Sequence, residues 1–328
     1  MNGRTSSSRA ARLYLGTSDG MLVLSYDGTD GIDEAGRGLE GNAVRGIATH
    51  PERPGEAWVG AGLRGSGLHR TIDGGRSYQE AGFDDAWVWD VLWDRSDPHV
   101  LWVGTEPPMV HVSRDGGATF APCEAIDRLP SRPRWTFFHP PYYAGHVHGI
   151  AVHPGRPERV FAGVEHGAFV CTHDGGSTWY ESLIGHDLHR VAVDPVDPDR
   201  VLAGTGGGLY ESRDAGLTWA STALLHGYVH GIRFDPHRPG RAFAYVVGRG
   251  PLHVSEDAGR SWRPLGGQLP SGRQSDTLCP HPAVPDLLFY VGDPTEDRSR
   301  LFVSDDAGRS WRELADGLPK VWRMHVVN

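Results

Sequence analysis

The stretch "THDGGSTW" (residues 172–179) decides the fold, because close copies of it recur along the chain. Five further copies share the form Ser/Thr-x-Asp-x-Gly-x-Ser/Thr-aromatic: "TIDGGRSY" (71–78), "SRDGGATF" (113–120), "SRDAGLTW" (212–219), "SEDAGRSW" (255–262) and "SDDAGRSW" (304–311). An Asp carboxylate can accept backbone N–H bonds inside a turn, and Gly permits a positive φ there. The pattern therefore predicts a turn between two antiparallel strands, repeated once per structural unit.

A second motif, a short apolar run, precedes each of these boxes. Its copies are "AVRGIATHP" (43–51), "WVWDVLWD" (87–94), "HVHGIAVHP" (146–154), "DLHRVAVDP" (187–195), "YVHGIRFDP" (228–236), "QSDTLCPHP" (274–282) and "KVWRMHVV" (320–327). Between the two lies a third motif, an apolar run that contains Gly, such as "AWVGAG" or "LWVGTE". Each unit thus contains four short strands in about 40 residues, which is typical of a propeller blade.

The two chain ends complement each other. "RLYLGTSDGMLVLSYDG" near the N-terminus supplies second and third strands, and "KVWRMHVVN" at the C-terminus supplies a first strand. We predict an all-β, seven-bladed β-propeller with four-stranded blades. Pairing of the C-terminal strand with the N-terminal blade closes the ring and leaves no open edge. We expect one domain over residues 1–328, with a flexible N-terminus (1–11) and an insert (123–145) over the channel mouth.

Composition narrows the class of protein. Lys and Arg total 32 against 41 Asp and Glu, a formal charge of −9, which argues against nucleic-acid binding. The N-terminus has no apolar signal region, and no run of about 18 apolar residues occurs, so we expect no membrane association and a cytoplasmic location. Cys123, Cys171 and Cys279 form no CxxC pair and fit a reducing compartment.

The boxes resemble Asp-box (BNR) repeats, which occur in sialidases, sortilin-type receptors, xyloglucanases and photosystem II assembly factors. The resemblance covers nearly the whole chain and implies a propeller. It implies no particular chemistry, because these relatives share the box and not a function. Sialidase activity would require three arginines on the substrate carboxylate and a Tyr–Glu pair. Only Arg45 occupies the matching level of the channel, so the chain is not predicted to be a true sialidase.

The first strand of each unit should line the central channel, with side chains alternating along it. The residues predicted to face the channel at one level are Arg45, Trp89, His148, His189, His230, Asp276 and Trp322. Three consecutive units carry His at this level. Such a set could hold a divalent transition metal, either Zn, Mn, Fe or Cu. Alternatively, the histidines form a polar wall that holds water and were inherited by duplication. Because ligating nitrogens must be unprotonated, metal occupancy should fall below a His pKa of about 6.5.

These positions lead to a functional hypothesis. We predict a metal-dependent hydrolase or lyase that acts on a small polar, anionic or saccharide-like substrate in the channel. The predicted ligands are His148, His189 and His230, and the predicted catalytic residues are Glu165, Asp276 and Arg45. The predicted substrate contacts are Trp89, Trp322, His146, Tyr228 and Trp135. Two alternatives stay open, a non-catalytic binding or assembly propeller and an Asp-box glycosidase. The aromatic insert 123–145 is expected to be a lid or an oligomer contact.

Overall fold

The computed structural model describes residues 9–62, 67–137, 139–222, 226–247, 252–267, 269–270 and 276–328. In this part of the chain the strands form seven four-stranded antiparallel sheets, each of them one blade. The prediction of a seven-bladed propeller with four-stranded blades is confirmed.

The strands are numbered in chain order, and each blade runs from the channel outward. Blade 1 contains β28 (Val321–Val327), β1 (Ala11–Thr17), β2 (Gly20–Tyr26) and β3 (Ile32–Gly38), and blade 2 contains β4 (Ala43–Thr49), β5 (Ala57–Gly62), β6 (Leu68–Thr71) and β7 (Gln79–Glu80). Blade 3 contains β8 (Trp87–Trp93), β9 (Leu101–Glu106), β10 (Val110–Ser113) and β11 (Ala121–Pro122), and blade 4 contains β12 (His146–His153), β13 (Arg156–Glu165), β14 (Phe169–Thr172) and β15 (Tyr180–Ser182).

The remaining blades follow the same order. Blade 5 contains β16 (Leu188–Val193), β17 (Val201–Thr205), β18 (Gly208–Ser212) and β19 (Ala220–Ser221). Blade 6 contains β20 (Val229–Phe234), β21 (Ala242–Val246), β22 (Leu252–Ser255) and β23 (Arg263–Pro264), and blade 7 contains β24 (Leu278–Pro280), β25 (Leu288–Gly292), β26 (Arg298–Ser304) and β27 (Arg312–Pro319). Two short 3-10 helices, Glu124–Arg128 and Arg132–Arg134, lie between blades 3 and 4. Within the described residues, no helix has the length and apolar character needed to cross a membrane.

The ring closes through the two ends of the chain. Strand β28 pairs antiparallel with β1, with Leu13 opposite Val326 and Leu15 opposite Met324. Leu13, Leu15 and Met324 are buried in a cluster that also includes Phe289 of blade 7, and Val326 packs against it, so closure contributes core packing as well as backbone hydrogen bonds. The predicted closure is confirmed. Of the N-terminal segment expected to be flexible, residues 1–8 lie outside the described residues, and Ala11 is the first residue of β1.

The Asp boxes form the turns between the third and fourth strands of six blades, away from the channel. In the box of blade 4, Asp174 Oδ1 accepts hydrogen bonds from the Thr178 amide (2.9 Å) and the Thr172 hydroxyl (2.8 Å), and Oδ2 accepts one from the Thr178 hydroxyl (2.7 Å). In the equivalent box of blade 3, the Thr119 hydroxyl and amide lower the pKa of Asp115 to about 2. The carboxylate therefore holds the turn in its ionised form.

Asp174→Ala should lower the free energy of unfolding by about 1–2 kcal/mol, because three hydrogen bonds to one carboxylate are lost at an exposed turn. Urea unfolding followed by circular dichroism measures the change. Asp174→Asn is the matched control, since its amide oxygen keeps the Oδ1 bonds and should lose less. Equal stability of the wild type and the Ala variant would contradict a structural role for the box.

Candidate functional site

The inner strands of six blades contain a β-bulge at the same level of the channel. The register shifts lie between Val44 and Gly46, Val88 and Asp90, Val147 and Gly149, Leu188 and Arg190, Val229 and Gly231, and opposite Gly16 and Thr17. A bulge leaves one residue of the strand unpaired and re-aims its side chain. The unpaired residues are Arg45, Trp89, His148, His189, His230 and Trp322, all of them among the residues predicted to face the channel.

Three of these residues bring imidazoles together. One ring nitrogen from each of His148, His189 and His230 lies within 4.8 Å of the others. The ring centroids of His148 are 5.4 Å from those of His189 and 5.5 Å from those of His230, and His189 and His230 stack at 4.1 Å. Bonds of about 2.0–2.1 Å to one ion require nitrogens about 3–3.5 Å apart. A small inward movement of the side chains would therefore accompany metal binding.

The tautomer of His148 is fixed by the neighbouring blade. Its Nδ1 lies 2.8 Å from the carbonyl oxygen of His189, which can only accept a hydrogen bond. Nδ1 therefore carries the proton, and Nε2 presents its lone pair to the channel. A backbone carbonyl that orients an imidazole in this way is a common companion of metal-ligating histidines.

His189 lies fully buried between two carboxylates. Its Nδ1 is 3.7 Å from Glu165 Oε2, its Nε2 is 3.5 Å from Asp187 Oδ2, and neither nitrogen has a hydrogen-bond partner within the described part of the chain. Burial lowers the pKa of His189, but Asp187 and Glu165 outweigh it and raise the pKa to about 9. Burial instead lowers the pKa of His148 and of His230 well below the usual range. Without metal, His189 is thus the protonated member of the three.

Glu165, a predicted catalytic residue, lies at the centre of this group. Its Oε2 is 3.0 Å from His146 Nε2 and 3.8 Å from His148 Nε2. Burial alone would raise the pKa of Glu165, but the hydrogen bonds and positive charge of the surrounding histidines lower it well below the usual range. Glu165 is therefore ionised. Asp187, the second carboxylate beside His189, accepts a hydrogen bond of 2.8 Å from the hydroxyl of Tyr228, which is a predicted substrate contact at the mouth.

His146 and Trp89, both predicted to contact substrate, form a stacked pair. Their rings stack at 3.6 Å, and His146 is only 1% exposed, so its ring is not open to a substrate. Glu106, the last residue of β9, is fully buried beside this pair. Glu106 accepts hydrogen bonds from Trp89 Nε1 (3.1 Å) and from the Tyr143 amide (2.9 Å). Trp89 still lines the cavity beside Arg45 and His148, whereas His146 supports the wall from behind it.

Arg45 occupies the axis between two indole rings. Its guanidinium carbon lies 4.5 Å from the ring centroid of Trp89 and 4.2 Å from that of Trp322. The position is that predicted for an anion clamp, and Arg45 Nη2 donates to the Tyr142 hydroxyl at 3.3 Å. Trp322 was predicted to be a substrate wall. Its ring lies against Arg45 and against the Lys320 ammonium at 4.6 Å, and it lines a small space beside His148 and His230.

The insert 123–145 crosses the mouth above these residues. Phe137 and Tyr142 line a cavity of about 400 Å³ together with Arg45, His148, Glu165 and His230. Phe137 also stacks on His166 at 4.1 Å. Trp135, by contrast, was predicted to contact substrate but is 3% exposed and donates to the Ser131 hydroxyl at 2.8 Å. Its large apolar indole belongs to a buried cluster that joins the insert to blades 3 and 4.

Asp276 does not join the histidines. Its carboxylate accepts hydrogen bonds from Arg190 Nη2 (2.6 Å) and Arg233 Nη2 (3.2 Å), and these charges hold its pKa far below the usual range. A carboxylate so tightly paired cannot exchange a proton near neutral pH, so the predicted role as acid or base is replaced by a structural one. Asp276 belongs to a layer of charges on the other side of Arg45.

This axial charge network joins blades that are not neighbours. Asp90 of blade 3 accepts a hydrogen bond from Arg190 of blade 5 (3.0 Å) and one from Arg323 of blade 1 (2.6 Å). Each of these residues directly follows a bulged residue, so the bulge turns two consecutive side chains toward the axis. The missed signal was a charge within an apolar run, as in "WVWDVLWD" and "DLHRVAVDP".

Known protein families and solved structures that resemble this chain agree with a propeller architecture. A family model described as Sortilin-Vps10, "Sortilin, neurotensin receptor 3", matches residues 207–326. This match and the six Asp boxes fit a BNR-like propeller. No curated protein sequence matches it.

Solved structures similar to this Asp-box propeller include both enzymes and binding proteins. A putative 6-phosphogluconolactonase from Bacteroides uniformis matches with TM-score 0.63 and 11% identity, over 97% of this chain and all of that one (100%). An ancestral GH74 enzyme matches with TM-score 0.59 and 16% identity, over 83% of this chain but only 38% of its own. YCF48 bound to D1 peptide matches with TM-score 0.54 and 15% identity, over 92% and 88%. At these identities the likeness concerns the fold alone.

Asp90→Ala should lower the free energy of unfolding of the Asp-box propeller by about 3–5 kcal/mol, since two buried guanidiniums would lose their shared partner. The matched control is Asp305→Ala, which removes an exposed ion pair with Arg9 and should cost no more than about 1 kcal/mol. Guanidinium chloride is unsuitable for ionic networks, so urea unfolding is the measurement. Similar losses in the two variants would show that the network contributes little.

Proposed function

We propose that the channel mouth is the metal centre of an enzyme of hydrolase or lyase type that acts on a small anionic molecule. The observation that carries the proposal is the convergence of His148, His189 and His230 beside the ionised Glu165. Three imidazoles with a neighbouring carboxylate suit a divalent transition ion, either Zn, Mn, Fe or Cu.

The residues fit such an ion in their chemistry. His148 presents Nε2 because Nδ1 is engaged with a backbone carbonyl, and the buried nitrogens of His189 have no hydrogen bond to lose. Buried polar atoms without partners are uncommon and call for an explanation such as an ion. When bound, the ion would act as a Lewis acid that activates water or polarises a substrate oxygen.

The side chains around the proposed metal centre have distinct roles. Glu165 is ionised and lies beside the proposed ligands, so it can accept a proton from water or from substrate. His146, in hydrogen-bond contact with Glu165 at 3.0 Å, orients the carboxylate. Phe137 and Tyr142 of the insert reduce the access of water to the cavity.

Arg45 supplies the preference for anions. It is 9% exposed and fixed between two indoles, and its Nε has no hydrogen-bond partner among the described residues. A substrate carboxylate or similar oxyanion could accept that hydrogen bond while its reacting group lies at the histidines. The cavity of about 400 Å³ is at the small end of the range of ligand sites, so the substrate should be small.

His148→Ala should remove tightly bound metal, because it deletes one of three proposed ligands. Elemental mass spectrometry after incubation with zinc and gel filtration gives the stoichiometry, expected to be one ion per wild-type chain. His153→Asp is the matched control, since Asp194 and Asp235 occupy the same turn in two other blades. Loss of zinc in both variants, or in neither, would refute the assignment of the ligands.

Zinc affinity should rise about tenfold per pH unit between pH 6 and 8.5. The proton on His189, with a pKa of about 9, must leave before the nitrogen can bind. The pKa expected to govern zinc binding is therefore about 9, and not the value near 6.5 expected from sequence. Competition with a zinc indicator at constant ionic strength measures the slope. Asp187→Asn should shift the dependence to lower pH, because a neutral amide no longer holds that proton. A flat profile between pH 6 and 8 would contradict the role of His189.

A binding propeller without catalysis is the second candidate. The charge on His189 between Glu165 and Asp187 forms an ionic arrangement that needs no metal. One of the similar propellers, YCF48, was solved with a D1 peptide. A panel of carboxylated sugars and small carboxylic esters, assayed with zinc, separates the two functions. Zinc-dependent turnover that Glu165→Gln abolishes supports the enzyme, and retained zinc without turnover supports the binding protein.

A further inference from the structure

The opposite mouth of the channel, formed by the turns after the inner strands, contains a second cavity. It has a volume of about 310 Å³ and is lined by apolar residues such as Ile150 and Ile232 and by charged residues from five blades. The charged lining residues are Asp90, Arg95, Arg190, Arg233, Asp235, Asp276 and Arg323. The metal centre lies on the other side of Arg45, so this cavity belongs to neither proposed function.

The lining carries an excess of positive charge. Asp90 and Asp276 are the partners of Arg190 and Arg323, and Asp235 lies 3.5 Å from Arg241, which neutralises it from outside the cavity. Four arginines therefore share two carboxylates, since Arg233 shares Asp276 with Arg190 and Arg95 has no carboxylate within the described residues. An electropositive pocket on a chain with a formal charge of −9 runs against the average field of the protein.

The two surplus guanidiniums are available to a ligand. Within the described residues Arg233 makes a single side-chain hydrogen bond, from Nη2 to Asp276, and its side chain is 32% exposed. Arg95 has no hydrogen-bond or ion-pair partner among the described residues. Arg95 is exposed at the rim, and both guanidiniums line the same cavity. Like charges held together without a counter-ion cost free energy that a bound anion would recover.

We propose that this second mouth is a binding site for a small oxyanion, a phosphate or a carboxylate held between Arg95 and Arg233. The guanidinium fork matches both groups, and Arg is the residue that recognises them in two-point contacts. The fixed network of Arg190, Asp90, Asp276 and Arg323 forms the floor of the site, so that little ordering is required on binding. The adjoining apolar residues allow the oxyanion to belong to a small organic molecule.

Thermal unfolding in phosphate, sulfate or citrate, each compared with sodium chloride at equal ionic strength, tests the proposal. At least one of the three should raise the melting temperature in a saturable manner, since a ligand of the folded state stabilises it. A larger effect of phosphate and sulfate would indicate a tetrahedral oxyanion, and a larger effect of citrate a carboxylate. Absence of any effect beyond that of chloride would overturn the proposal.

Three variants locate the site. Arg95→Ala should weaken binding roughly tenfold, the loss of one charge-assisted contact. Arg156→Ala is the matched control, because it removes an exposed arginine at the equivalent turn of blade 4, away from the cavity. Equal weakening by both substitutions would refute the site. His148→Ala should bind the anion like wild type, which makes the result independent of the metal centre.

Discussion

An extra residue in the inner strand of six blades turns consecutive side chains toward the propeller axis, and both ends of the channel depend on it. A regular strand would alternate and send every second side chain into the packing between blades. The bulge at His189 and Arg190 gives the channel an imidazole at one level and a guanidinium at the next. The same device at Trp89 and Asp90 supplies the carboxylate that this guanidinium meets.

Glycine after a bulged residue leaves space for the charged side chains near the axis. Gly149 follows the bulged His148, and a side-chain carbon there would lie 2.9 Å from the His189 carbonyl oxygen and 3.2 Å from Arg190 Nη1. The missing side chain leaves room for Arg190 to cross the axis to Asp90. The same carbonyl orients His148, so one close approach of backbones serves both the imidazole and the charge network. Substitution of Gly149 would therefore disturb both levels.

The fold could be predicted from sequence because its signals repeat: six boxes and seven apolar runs report the same unit independently. The residues that face the channel could also be predicted, since each bulged residue lies at a constant distance in sequence from the apolar run. Counting with a strict period of two nevertheless missed Asp90 and Arg190, because a bulge breaks that period. The hydrogen-bond partners of Glu106, which come from blade 3 and from the insert, could not be predicted either. Burial of His146 and Trp135 depends on such long-range contacts, and no local pattern reports them.

The channel is polarised along its axis. Glu106, Glu165 and Asp187 surround the histidines at one mouth, which lowers the cost of bringing a cation there. Arg95 and Arg233 dominate the other mouth, where the same reasoning favours an anion. Arg45, enclosed by two indoles, separates the two environments, and its charge is attracted to the acids above while repelling the arginines below. Because each blade contributes one inner strand to both mouths, exchanging one residue on either side of a bulge changes the two fields separately. A propeller built in this way can present two ligand sites of opposite charge on a single closed scaffold.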